Sequence, residues 1–147
     1  KSQWPCIRLY ANSIGAWFSL LAFSGEVFEQ CLFVSPVVNM QLLIETMMQW
    51  AGVTPEQLRQ AGSIPTEFGE TLSWQYYTYT KENPICNWSS PTSILYAGKD
   101  NLTDRSVIEA FAKRFGCKLT VMEQGEHWFH TPEQLAVLNH WAGDAFA

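Results

Sequence analysis

Three side chains whose types suit acyl-transfer chemistry each lie in a short stretch that follows an apolar run. Ser13 lies in Ala11–Gly15, Asp100 in Ala97–Asn101 and His127 in Gln124–Phe129. A serine hydroxyl attacks a carbonyl carbon when a neighbouring base takes its proton, and an acid behind that base orients it and stabilises its charged form. The three residue types therefore indicate nucleophilic catalysis, provided that the fold brings them together.

The serine lies where a strand-like sequence changes to a helical one. Ile7–Tyr10 reads as a strand and Ala16–Phe23 as a buried helix. A sharp turn between them would expose the Ser13 hydroxyl and needs small residues two positions before and after it, and Ala11 and Gly15 meet that need. The motif alone is more typical of a turn whose serine caps a helix. The catalytic interpretation therefore depends on the rest of the chain.

Short, continuous apolar runs recur along the chain and alternate with helical patterns. Such runs are typical of strands buried on both faces, which predicts a parallel sheet with helices on both sides. Loops at the carboxyl ends of these strands are where catalytic groups lie. The predicted strands are Ile7–Tyr10, Cys31–Val34, Ile94–Ala97 and Leu119–Met122, and the predicted helices of this part are Ile14–Ser24 (ended by Gly25), Asp104–Phe115 and Pro132–Phe146.

Each candidate has a rival. Asp104 could replace Asp100 as the acid, but it also suits the start of the next helix. His130 could act near His127, and His140 lies on the final helix. We prefer Asp100 because it is close to its strand end, and His127 because the preceding Gly-x leaves the backbone free to present the ring. No Cys, His or acid pattern completes a metal ligand set.

The middle of the chain, residues 39–87, interrupts the alternation. It predicts a helix over Asn39–Trp50, a short helix from Thr54, an extended connection over Ser63–Gly69 and an aromatic-rich helix over Thr71–Glu82. A long connection between two sheet strands is often functional, so we expect a cap over the active site. Its apolar side chains would shape a substrate pocket, although helical periodicity of this kind also reports core packing. The pocket candidates are Met40, Met47, Trp74 and Tyr77, with Met48 and Trp50 beside them.

Composition restricts the class of protein. The chain has 147 residues, 47% hydrophobic and 16% charged, which fits one globular domain. The net charge is −5 with no Lys/Arg cluster, so no nucleic-acid or membrane partner is expected. No apolar run reaches the roughly 18 residues of a membrane helix. The four cysteines are far apart in sequence and suit buried free thiols in a reducing, cytoplasmic compartment. No cofactor is expected.

The order Ser13, Asp100, His127, with Gly-x-His after the last strand, resembles the α/β-hydrolase superfamily of the serine esterase or lipase kind. The resemblance begins at the strand before the serine and covers essentially the whole chain. It implies an α/β fold with a parallel, three-layer sandwich that lacks its N-terminal strands. It also implies a core over 1–38 and 88–147 and a helical cap over 39–87. By the same resemblance, Ile14 would supply an oxyanion-hole N–H, and Ala11 replaces the usual first glycine.

The resemblance implies hydrolysis of small or apolar carboxylic esters through a Ser-His-Asp triad. Amidase, peptidase or acyltransferase activity on the same fold stays open, because the triad chemistry is shared. A non-catalytic fragment also stays open. The first strand would be an unprotected edge, so we expect either a homodimer or pairing with the N-terminal half that the family has and this sequence lacks.

Overall fold

The computed structural model describes residues 3–146 and divides into two compact units. One unit comprises the described residues up to Val38 together with those from Ile85 onward, and the other is Asn39–Pro84. Residues 1, 2 and 147 of the predicted core lie outside the described residues. The elements in chain order are β1 (Arg8–Asn12), α1 (Ile14–Ala22), β2 (Gln30–Val34), α2 (Met40–Ala51), α3 (Pro55–Ala61), β3 (Ser63–Pro65), β4 (Thr71–Ser73), α4 (Trp74–Glu82), β5 (Thr92–Ala97), α5 (Arg105–Phe115), β6 (Lys118–Met122) and α6 (Pro132–Phe146).

The first unit is built on a four-stranded parallel sheet in the order β1-β2-β5-β6. The register pairs Asn12 with Val34, and Ala97 with Met122, so β1 ends level with β2, and β5 ends level with β6. This alignment places the loops after β1, β2, β5 and β6 on the same rim. The α/β architecture with a parallel sheet and helices agrees with the prediction.

Burial differs between the central and edge strands. β2 and β5 are buried along nearly their whole length, as the continuous apolar runs predict. The expectation of two buried faces is wrong for β1 and β6, because they are the edges of the described sheet and their side chains are exposed or half-buried apart from Ala11. Association along the edge of β1 stays a prediction.

Helix ends in this unit follow local capping chemistry, with one correction. The Asp104 carboxylate accepts from the Ser106 N–H at 2.8 Å and begins α5, and Gly116 ends that helix in a left-handed conformation. Thr131 accepts from the Gln134 N–H at 3.2 Å at the start of α6. The prediction that Gly25 ends α1 is wrong, because Phe23 closes that helix through its N–H bond to the Ser19 carbonyl.

The second unit contains three helices and a short antiparallel hairpin. A capping box at Thr54 and Gln57 begins α3, and Gly52 ends α2 with a positive φ. The predicted helix over Thr71–Glu82 is wrong at its start, since residues 71–73 form β4 and pair with β3 over 63–65. The Ser73 hydroxyl then caps α4 by accepting from the Tyr76 N–H at 3.2 Å. Whether this unit covers an active site stays a prediction.

None of the helices in residues 3–146 is long and apolar enough to cross a membrane. The four cysteines are free, but the expectation that they are buried holds only in part. Cys31 is buried and Cys117 half-buried, whereas Cys6 and Cys86 are exposed.

Candidate active site

Ser13 occupies a strained turn between β1 and α1. Its φ of 47° lies in the left-handed region, which a non-glycine residue enters only when its surroundings hold it there. The Ser13 N–H donates to the Val34 carbonyl at 3.0 Å, and the Ser13 carbonyl accepts from the Val37 N–H at 3.0 Å and the Ala16 N–H at 3.1 Å. These bonds fix the serine backbone between the first turn of α1 and the segment after β2.

The Ser13 hydroxyl does not cap α1. Its Oγ lies 2.8 Å from Nε2 of His127, although the two residues are 114 positions apart in sequence. The alternative interpretation of the motif, a serine that caps a helix, therefore does not describe this turn.

Asp100 lies in the loop after β5, with a fully buried side chain. Oδ1 accepts from the Leu102 N–H at 2.8 Å and the Thr103 N–H at 3.2 Å, and Oδ2 lies 2.8 Å from Nδ1 of His127. A buried carboxylate is tolerated when it is paired and hydrogen-bonded, and here both oxygens have partners.

His127 links the serine and the acid, and its side chain is only 3% exposed. An ionised Asp100 can only accept a hydrogen bond, which assigns the ring proton to Nδ1. Nε2 is then free to accept from the Ser13 hydroxyl. The arrangement can therefore move a proton from serine to imidazole while a carboxylate holds the ring in the required tautomer.

The loops that hold Asp100 and His127 are bonded directly to each other. The Gly98 N–H donates to the Met122 carbonyl at 2.8 Å, and the Lys99 N–H donates to the Gly125 carbonyl at 2.9 Å. A Cβ on Gly98 would lie 2.6 Å from the Glu123 carbonyl oxygen, so only glycine fits here. The sequence analysis did not identify Gly98. Its position directly after the strand was a signal, but the contact depends on the β5–β6 register.

Tyr96, the penultimate residue of β5, is a further group near the acid. Its hydroxyl donates to the Thr103 carbonyl at 2.8 Å, which closes the same loop that bonds Asp100. Burial, and then the negative charge of Asp100, raises the pKa of Tyr96 to about 12. The phenol therefore stays protonated near neutral pH and remains a donor.

The rival residues have other roles in the structure. Asp104 caps α5 and is exposed to solvent. His130 is largely exposed, and its Nδ1 lies 3.4 Å from Oε2 of Glu126. His140 is exposed on α6, with its Nε2 3.3 Å from Oδ2 of Asp144. In residues 3–146 no three His, Cys, Asp or Glu side chains form a group that could hold a metal ion.

Comparison with known proteins identifies the family of this chain. A family profile described as the alpha/beta hydrolase fold matches residues 9–133. This chain belongs to the α/β-hydrolase fold family. No curated protein sequence matches it.

Several solved structures share the α/β-hydrolase fold with this chain. Mouse alpha/beta hydrolase domain-containing protein 10 has a TM-score of 0.72 and 16% identity, over 93% of this chain and 60% of its own. Est1E from Butyrivibrio proteoclasticus with ferulic acid bound has a TM-score of 0.71 and 17% identity, over 96% and 60%. The esterase PF2001 of Pyrococcus furiosus has a TM-score of 0.62 and 16% identity, over 95% and 52%. The chain thus spans three fifths or less of the length of these relatives, and the likeness shows the fold alone.

Within this α/β-hydrolase chain, Ile14 and the two small residues of the turn can now be placed. Ile14 is the first residue of α1, so its N–H is among the amides that an α-helix leaves without an internal partner. Ala11 is buried. The expectation that position 15 requires a small residue is wrong, because a Cβ on Gly15 would meet nothing within 4 Å apart from its chain neighbours and the backbone of its own helix.

The predicted pocket residues all lie in the second unit. Met40 and Tyr77 are buried, and Met47 and Trp74 are half-buried. The Trp74 ring packs on the Tyr77 ring with centroids 5.8 Å apart, and the Tyr77 hydroxyl donates to Glu45 at 2.8 Å. Burial, followed by that bond, raises the pKa of Tyr77 to about 12. These contacts are those of a core, and a substrate-binding role stays a prediction.

Proposed function

We propose that this α/β-hydrolase chain cleaves carboxylic esters with Ser13 as nucleophile, His127 as general base and Asp100 as the orienting acid. The observation that supports the proposal is the continuous series of contacts from Ser13 Oγ through both nitrogens of His127 to Asp100 Oδ2, each 2.8 Å long. Nucleophile and base within hydrogen-bond reach, with the base oriented by a third group, is the signature of covalent catalysis.

The mechanism follows from the tautomer. Nε2 of His127 takes the Ser13 proton as Oγ attacks the ester carbonyl, and Asp100 stabilises the imidazolium that forms. The imidazolium then protonates the leaving alcohol, and the acyl group stays on Ser13. A water molecule, deprotonated by His127, attacks the acyl-serine, and the imidazolium gives that proton to Ser13 Oγ as the acyl–oxygen bond breaks and the acid leaves. The base returns to its starting protonation state.

The N-terminus of α1 is the proposed site for the oxyanion. The Ile14 N–H points from the first residue of the helix, and helix N-termini favour negative charge. Loss of one oxyanion donor lowers rates by ~10²–10³. We assign one donor to Ile14.

We propose esters rather than other acyl substrates because one structural neighbour, PF2001, is named an esterase. Small or apolar substrates, including aromatic ones, are the proposed class, and Est1E binds ferulic acid. Amides, peptides and acyl transfer to alcohols would use the same three side chains. The substrate panel therefore has to contain an ester and its matched amide.

The test combines a fluorophosphonate probe with ester hydrolysis. We expect the probe to label Ser13 and the protein to hydrolyse p-nitrophenyl acetate and methyl ferulate. Ser13→Ala removes labelling and turnover, and Asp100→Asn lowers kcat by about 10⁴-fold, because the imidazole takes the wrong tautomer. If the matched amide is hydrolysed as fast as the ester, the chain is an amidase instead.

Two matched controls separate the triad from its rivals. Asp104→Asn keeps the helix cap and His130→Ala removes an exposed ring, so both leave kcat unchanged. Circular dichroism and thermal unfolding verify that each variant folds. A folded wild-type chain that neither reacts with the probe nor hydrolyses any ester would overturn the proposal and favour a non-catalytic role.

A further inference from the structure

Backbone strain in this chain is concentrated around the proposed triad. Among the described residues, the non-glycine positions with positive φ are Ser13 at 47°, Ser35 at 41° and Phe129 at 45°. They follow β1, β2 and β6, at the rim where the strands end together. A bulky residue in this region is a rare outlier that persists only when its surroundings hold it. Phe129 is therefore the least expected of the three.

The Phe129 side chain supplies the holding contacts. It is 2% exposed and packs with Val34 and Ala97, the last residues of β2 and β5, and with Leu95. Met122, Leu138 and Trp141 pack against this cluster from β6 and α6. The ring is therefore fixed by the part of the sheet that is buried most deeply.

The same ring also touches the beginning of the histidine loop. A Cβ added to Gly125 would lie 3.3 Å from Cζ of Phe129, so the ring tip lies directly against that glycine. The Phe129 N–H donates to the Glu126 carbonyl at 3.0 Å. Phe129 thus closes residues 125–129 at both ends, and His127 is the middle residue.

We propose that Phe129 is a positioning residue that sets His127 between Ser13 and Asp100. The inference rests on the proposed function. Phe129 acts through the backbone of the loop, which its ring meets at Gly125 and its N–H meets at Glu126. Trp128 also contacts the imidazole, with ring centroids 5.1 Å apart, but it is 71% exposed and has no comparable packing to hold the loop.

The experiment compares Phe129→Leu with Phe111→Leu. Phe111 is also a buried phenylalanine, and it packs against Phe115 within α5. Both variants lose a buried ring, and so both lower the midpoint of thermal unfolding. Only Phe129→Leu is expected to lower kcat for p-nitrophenyl acetate, by about 10²-fold with little change in KM, since a displacement near 1 Å costs about that much.

A second readout separates this inference from the proposed function. The ¹⁵N and ¹H shifts of the His127 ring report its bonds to Ser13 and Asp100 whether or not the chain turns over a substrate. We expect Phe129→Leu to change them and Phe111→Leu to leave them as in the wild type. A changed ring signal in a chain inert to every ester would support the positioning role and overturn only the esterase.

Wild-type ring shifts and kcat in folded Phe129→Leu would overturn the positioning role. If that variant does not fold, Phe129→Met takes its place, because methionine retains an apolar chain long enough to reach Gly125. An equal decrease of kcat in Phe129→Leu and Phe111→Leu would also overturn the positioning role, since it would reflect the loss of stability alone.

Discussion

Gly98 offers a sharp test of how the acid loop and the histidine loop depend on each other. In Gly98→Ala the new Cβ would lie 2.6 Å from the Glu123 carbonyl oxygen, 2.7 Å from its Cα and 2.9 Å from its carbonyl carbon. All three are backbone atoms, so no side-chain rotation relieves the overlap. The loops after β5 and β6 must move apart.

The size of that movement follows from the contact. Ordinary van der Waals contact begins near 3.4 Å, so the loops separate by about 0.8 Å at this point. Overpacking of this kind costs about 1–3 kcal/mol in the free energy of unfolding. Asp100 is two residues from Gly98, and its bond to His127 crosses the same boundary. A displacement near 1 Å lowers kcat by about 10²-fold.

The assay measures the free energy of unfolding in urea and kcat on p-nitrophenyl acetate, with Gly143→Ala as the control. Gly143 is exposed in α6, and a Cβ there would meet nothing within 4 Å apart from its chain neighbours and the backbone of its own helix. Alanine should therefore stabilise the helix by up to about 1 kcal/mol. If Gly98→Ala has the stability and kcat of the wild type, the close packing of the two loops does not align the acid, and the reasoning fails.

Three further predictions concern other groups. The Ser35 Oγ is buried with no partner among residues 3–146, so Ser35→Ala should raise the free energy of unfolding by about 1 kcal/mol. A lower free energy of unfolding, measured by urea denaturation, would contradict this. Thr54→Ala removes the capping box with Gln57 and should cost about 1 kcal/mol, with Thr54→Ser as the control that retains the hydroxyl. The pKa of Tyr96 is about 12 in the folded chain, above the ~10 of an unfolded one, so its contribution to stability is complete below pH ~10 and is lost as the pH rises to ~12. Tyr96→Phe should reduce the fall in unfolding free energy across that pH window. Tyr77→Phe should also reduce this fall, because the pKa of Tyr77 is likewise raised to about 12. If the unfolding free energy of Tyr96→Phe has the same pH dependence as that of the wild type, the raised pKa of Tyr96 is refuted.

The three candidate catalytic residues could be found from sequence because each follows an apolar run. In a parallel sheet such runs end at one rim, so their loops converge whatever the details of the helices between them. Ser13, Asp100 and His127 needed only this topological argument to be grouped. Their catalytic roles stay predictions until the probe and the variants are measured.

Features that depend on strand register or on backbone angles could not be predicted from the sequence. The contact of Gly98 with Glu123 exists only because Ala97 pairs with Met122. The positive φ of Phe129 has no residue signature, since phenylalanine is not a residue that favours it. The strand over Thr71–Ser73 is three residues long and joins a helix directly, so its apolar pattern merges with the helical one.

The insertion of residues 39–84 in the chain between the paired strands β2 and β5 has a consequence for protein engineering. Within residues 3–146, the hydrogen bonds that align Ser13, Asp100 and His127 join residues before Asn39 or after Pro84. A mutagenesis library confined to 39–84 would therefore leave all of those bonds in place. Activity measured on such a library would therefore test the predicted pocket residues while the bonds that align the three side chains stay intact.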